Sequence, residues 1–168
     1  MTSRQGRLLF LLILIVCVSC DQATKGVADA HLMGRPAVRL WHGTVELVHT
    51  RNPGAFLSLG AELPTLVRTL LFGVGVTAVM LWLTRAVLTA RTISGARIVA
   101  AGLLIGGGAG NLIDRMFLGS VRDFAVLHLG PLHTGIFNAA DVAVMAGVLG
   151  LLLLEWRSPR RRPDQRTR

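Results

Sequence analysis

The sequence predicts a mainly α-helical integral membrane protein: four transmembrane helices, with a small extracytoplasmic β-hairpin in the first outer loop. Three observations lead there. The 168 residues are 52% hydrophobic and 16% charged, where a soluble domain carries about 25% charged residues. Several windows approach the ~20 apolar residues that cross a bilayer. The net charge is +9, but the arginines collect at the chain ends and in one loop. That is the distribution of the positive-inside rule, and no nucleic-acid partner is expected. Residues 1–156 are expected to form a single membrane domain and 157–168 a basic, disordered cytoplasmic tail.

The first span is expected over about 8–28. Leu8 to Cys20 is apolar without interruption and follows Arg4 and Arg7. A signal peptide ending in the lipid-attachment box Val18-Ser19-Cys20 is the competing reading. The helix is preferred because three more apolar segments follow, where a signal peptide would precede a hydrophilic domain. Asp21 and Lys25 stand at i and i+4, acid first, the favourable order for a helical pair. Cys17 and Cys20 are taken as small apolar residues of this helix rather than a redox pair.

Between His31 and Glu62, residues 37–41 and 44–50 alternate loosely around a His42-Gly43 turn, which predicts a hairpin at the membrane surface. Pro53-Gly54 is turn chemistry. Phe56, Leu57 and Leu59 are apolar enough to dip into the interface. The second span is expected over about 65–83, with Trp82 at headgroup level, before the basic loop from Arg85 to Arg97. The third, about 98–113, carries Gly102, Gly106, Gly107, Gly108 and Gly110, small residues that let membrane helices approach closely. A dinucleotide loop is discounted there, since no strand precedes the glycines. The fourth span is expected over about 136–156.

These spans put both termini and the Arg85–Arg97 loop in the cytoplasm. Asp21, Lys25, Asn52, Asn111, Asp114, Arg115, Asp123, Asn138 and Asp141 then fall together at the opposite face. A charge at the bilayer centre costs ~2.5–3.5 kcal/mol, so ionisable groups within spans are functional candidates by default. Asn138 and Asp141 share a helix face at i and i+3, and Asn111 and Arg115 do so at i and i+4. Asp114, beside Arg115, suits a structural ion pair. Asp123 and Asp141 have no basic residue at helical spacing, and Arg122 points away from Asp123 on an extended strand. Two such carboxyls in an apolar surround share a proton, and can activate water and protonate a leaving amine. No metal and no cofactor is expected. The five histidines lack zinc-site spacing, and Ser58 and Ser120 stand in no Gly-x-Ser-x-Gly.

Five blocks in order carry a family resemblance: Asp21-Gln22-Ala23-Thr24-Lys25; Asn52-Pro53-Gly54-Ala55; Gly108 to Arg115; Gly119-Ser120-Val121-Arg122-Asp123-Phe124; and Phe137-Asn138-Ala139-Ala140-Asp141. With them the chain resembles the bacterial lipoprotein signal peptidases, signal peptidase II. The resemblance implies an intramembrane aspartic endopeptidase of the bacterial cytoplasmic (inner) membrane, with its active site near the outer face. It implies cleavage of prolipoproteins before a diacylglyceryl-modified cysteine, and inhibition by globomycin-type cyclic peptides. It assigns catalysis to Asp123 and Asp141, and support or substrate binding to Asp21, Lys25, Asn52, Gly54, Asn111, Arg115 and Asn138. Two departures stand out: one alanine is missing after Gly54, and Arg122 replaces a commonly apolar residue. The rival classes are a four-span thiol oxidoreductase using Cys17 and Cys20, and a proton-coupled carrier using the two aspartates as a relay.

Overall fold

The computed structural model describes residues 3–54, 60, 62–90 and 92–157. The expected interfacial dip of Phe56, Leu57 and Leu59, and the basic tail beyond Arg157, lie outside the described residues.

Helix α1 runs over Ser3–Leu32, longer at both ends than the apolar run alone suggests. The second span, α2, covers Thr65–Thr89. Within it Thr69–Gly75 is wound as a π-helix, and Thr77 donates its hydroxyl back to the Gly73 carbonyl at 2.6 Å. Helix α3 spans Gly95–Leu118: Ser94 caps its start by accepting from Arg97 N, and Gly119 ends it in the left-handed region at φ 70°, as glycine does after helices. Helix α4 spans Ala139–Trp156. Among the described residues these four helices are long and apolar enough to cross a membrane.

The expected hairpin forms, but as half of a larger sheet. Strand β1 is Val38–Leu40 and β2 is Val45–Asn52. The stretch between the third and fourth spans supplies β3, Val121–Leu129, and the short β4, Leu132–His133. All pairs are antiparallel and the order is β1-β2-β3-β4. The register of β2 on β3 shifts between Leu47, opposite Ala125, and Thr50, opposite Asp123. Val48 and His49 thus face the single residue Phe124, a β-bulge that turns side chains out of alternation. Phe137 continues the ladder on the other side of β3, its carbonyl accepting from Phe124 N and Ala125 N at 3.0 Å each.

The two ends of the bundle differ in chemistry. At one end Phe10, Ile98 and Ile105 form a buried apolar core with Leu9, Met80 and Leu83 packed on it. There Arg7 bonds the Leu88 carbonyl, and Arg97 pairs with Glu155. At the sheet end the buried polar side chains are Asp21, Lys25, Asn52, Asp114, Asp123, Asn138 and Asp141.

The small residues of α3 serve close packing. A Cβ on Gly106 would meet Cys17 Cβ at 2.7 Å, and one on Gly107 would strike the Ala140 carbonyl. In α4, Gly147 lies against the α3 backbone, where an added Cβ would sit 2.5 Å from Leu104 N and 2.6 Å from Ala100 O. Backbone cannot yield as a side chain does, so Gly147→Ala must push α3 and α4 apart, a strain of about 1–3 kcal/mol. A lower thermal midpoint in detergent is expected for Gly147→Ala. No such loss is expected for Gly26→Ala, where nothing lies within 4 Å of the added carbon.

Candidate active site

Five elements bring the polar residues together, with Asn52 coming from the end of β2. Asp21 and Lys25 come from α1, Asn111, Asp114 and Arg115 from the last turns of α3, Asp123 from β3, and Asp141 from the first turn of α4. Asn138 is the N-cap of α4: its side chain accepts from Asp141 N, and Asp141 accepts from Asn138 N, a reciprocal capping box. The same asparagine reaches the other acid. Its Nδ2 lies 2.6 Å from Asp123 Oδ1, and its N donates to Asp141 Oδ2 at 3.2 Å. One residue thus contacts both carboxyls.

Each carboxyl has a second amide. Asn52 Nδ2 donates to Asp123 Oδ2 at 2.9 Å, and Asn111 Nδ2 donates to Asp141 Oδ1 at 2.9 Å. Asn111 Oδ1 accepts from Lys25 Nζ at 2.9 Å and from Asn138 Nδ2 at 3.1 Å. Lys25 is wholly buried, and the i, i+4 pair read from the sequence closes at 2.7 Å to Asp21 Oδ2. Asp21 Oδ1 in turn accepts from Ala140 N at 3.0 Å, tying α1 to the start of α4.

Burial of these groups is tolerable because nearly every lone pair and N–H has a partner. Asp123 nonetheless titrates abnormally. Burial pushes its pKa up to about 6, the neighbouring Asp141 charge adds to the rise, and the Asn52 and Asn138 hydrogen bonds oppose it.

Asn52 and Arg115 act on Gly54. Asn52 Oδ1 accepts from Gly54 N at 2.9 Å, and Arg115 donates to the Gly54 carbonyl at 2.7 Å. Arg115 therefore does not neutralise Asp114, as their adjacency suggested. Asp114 pairs instead with Arg122 at 2.7 Å and Lys25 at 3.3 Å, because successive helical residues point in different directions. A cavity of about 350 Å³ opens beside Arg115, lined also by Pro53, Arg68, Phe72, Leu112 and Met116. Among the described residues Arg115 Nε is buried and has no acceptor.

Three contributors, Asp29, Gln22 and His49, were given no role from the sequence, and Arg122 was noted there only as a departure. Arg122, Asp29, Gln22 and His49 form a polar cluster on the far face of β3. Arg122 pairs with Asp29 at 2.9 Å, and His49 Nε2 lies 2.7 Å from the same carboxyl. The signal for Asp29 was present: it continues the Asp21–Lys25 line by one more step of four. His49 had none, since its direction depends on the bulge.

Comparison with known proteins gives the fold and the family. The fold is that of a bacterial membrane enzyme: two solved structures so described, at 2.3 and 1.9 Å resolution, each superpose with a TM-score of 0.78. They share 22% and 23% identity with this chain, over 95% and 89% of it and 94% of each of theirs. A family model described as signal peptidase (SPase) II matches residues 13–157, and the chain belongs to that family. The lipoprotein signal peptidase of Syntrophotalea carbinolica is 35% identical over 89% of this chain and 91% of its own. That of Beijerinckia indica is 37% identical over 82% and 81%. The protein is thus a bacterial membrane peptidase of lipoprotein processing.

The raised Asp123 pKa has a consequence for stability. Its folded value lies above the ordinary carboxyl value of 3.8, so the folded state binds the extra proton. The favourable contribution is complete below about 4 and is lost as pH rises through about 6. Two pKa units correspond to roughly 3 kcal/mol. The thermal midpoint of the protein, measured against Asp123→Asn in the same detergent, is expected to fall between pH 4 and pH 7.

Proposed function

We propose that the chain is an intramembrane aspartic endopeptidase. In this reading it cleaves the signal peptide of diacylglyceryl-modified prolipoproteins on the N-terminal side of the lipidated cysteine, with Asp123 and Asp141 as the dyad. The observation that carries the reading is the sharing of Asn138 by two buried carboxyls.

Two carboxyls so placed hold one proton between them, because a second charge is repelled in a low-dielectric pocket. The ionised member takes a proton from water, whose oxygen bonds to the scissile carbonyl carbon. The protonated member hydrogen-bonds the carbonyl oxygen as it becomes tetrahedral. The C–N bond then breaks, and a dyad proton passes to the leaving amine. The three asparagines hold the two carboxyls, and Lys25 holds Asn111 in turn. The Arg115 side chain lines the neighbouring cavity and brings a positive charge to the wall that faces a substrate. Phe72, Leu112 and Met116 in that wall suit the apolar part of a lipid-bearing peptide.

The membrane orientation follows from charge. Arg7, Arg97 and Arg157 belong to one end, which the positive-inside rule puts in the cytoplasm, with the dyad near the outer face. The substrate's acyl chains then remain in lipid while the peptide reaches the sheet end. A cyclic peptide of the globomycin type would compete for the same carboxyls. Neither cysteine has a part in this chemistry: Cys17 packs on Gly106, and Cys20 is exposed.

The test is cleavage of a purified diacylated prolipoprotein, with and without globomycin. Asp123→Asn and Asp141→Asn are each expected to lower kcat/KM on the order of 10⁴-fold, with the protein still inserted. The Cys17→Ala/Cys20→Ala double variant is expected to retain cleavage. Near-normal turnover by either asparagine variant would overturn the assignment.

A further inference from the structure

Arg122 makes more polar contacts than either carboxyl, yet the chemistry above gives it no task. Its guanidinium is largely buried, with 13% of the side chain exposed. Nη2 and Nε grip Asp114 in the bidentate manner, at 2.7 Å to Oδ1 and 3.2 Å to Oδ2. Nη1 donates to Asp29 Oδ2 at 2.9 Å, and Nη2 also reaches Gln22 Oε1 at 2.8 Å. The main chain of the same residue is held as well. Arg122 N donates to Asp114 Oδ2 at 2.9 Å, and its carbonyl accepts from Asn138 Nδ2 at 3.3 Å.

We propose that Arg122 is a positioning residue of the peptidase reaction: by locking the start of β3 to α1 and α3 it sets where the Asp123 carboxyl stands relative to Asp141. The proposal rests on the reading of those two acids as the dyad.

Alternation along the strand sends Arg122 to one face and Asp123 to the other, so anchoring the first aims the second. A planar fork bound at two oxygens is directional, and a displaced strand breaks several contacts together. The lock reaches three further elements. Asp114 belongs to α3. Gln22 and Asp29 belong to α1. His49, on the bulge of β2, holds Asp29 from behind at 2.7 Å. The coupling to the dyad is direct, because the Asn138 amide that meets the Arg122 carbonyl also donates to Asp123 at 2.6 Å. Charge is not the route. The leading influences on Asp123 acidity are burial, Asn52, Asp141, Asn138 and Lys25.

Two substitutions separate positioning from bulk stability. Arg122→Lys keeps the charge but cannot hold Asp114, Asp29 and Gln22 at once. Asp29→Asn loosens one arm and leaves the bidentate pair intact. On purified enzyme in nanodiscs, with the diacylated prolipoprotein, Arg122→Lys is expected to lower kcat about 10–100-fold while KM changes less than about twofold. Asp29→Asn is expected to lower kcat by less than about tenfold, and the double variant to be no worse than Arg122→Lys alone. A second readout needs no substrate: titration of the Asp123 carboxyl by difference infrared spectroscopy, referenced to Asp123→Asn. A slipped strand loses the Asn138 donor, so the titration in Arg122→Lys is expected to move to higher pH. An unchanged titration, or unchanged kcat beside a lowered melting temperature, would overturn the proposal. If Arg122→Lys does not fold, Asp29→Asn decides by the same criteria. Wild type and Asp123→Asn run alongside. Equal turnover by those two defeats the dyad reading, and the infrared result still decides whether Arg122 aims the carboxyl.

Discussion

The constraint on which this structure depends is the burial of charge at one end of an apolar bundle. Asp21, Lys25, Asp114, Asp123 and Asp141 are all at most 9% exposed. Isolated charges in such a place would cost far more than the fold could offset. They persist because each is part of a closed set of donors and acceptors. Three asparagines make that closure possible, since an amide offers both a donor and an acceptor and carries no charge. Asn111 uses both of its functions, toward Lys25 and Asp141. A leucine or an aspartate in its place would leave one side of that bridge open.

Much of the fold was legible because lipid imposes simple rules. A spanning helix must be apolar for ~20 residues, and Arg85 to Arg97 marks a boundary that lipid does not admit. The glycines of α3 signalled close approach, and they pack on α1 and α4 at Cys17 and Ala140. The second outer stretch was harder. Val121 to Leu129 is a strand because β2 offers it an edge, and that information lies about seventy residues away in the chain.

The polar constellation was legible to different depths. Asp21 with Lys25, and Asn138 with Asp141, are local spacings, and the structure realises both. The meeting of Asp123 with Asn52 depends on strand register, which no local pattern specifies. Asp114 and Arg115 misled because adjacency in sequence is not adjacency on a helix. Arg122 stood out only as a charge at a position where the family commonly has an apolar residue. Its partners come from two helices, and only the assembled fold shows that it is satisfied.

The capping of α4 by Asn138 has a further consequence. The residue that begins the last helix also joins the two acids, so winding that helix and completing the pocket are one cooperative event. A chain still inserting its final segment would lack both Asp141 and the bridge to it. On the proposed reading of these acids as the dyad, proteolytic competence arises only with the finished topology.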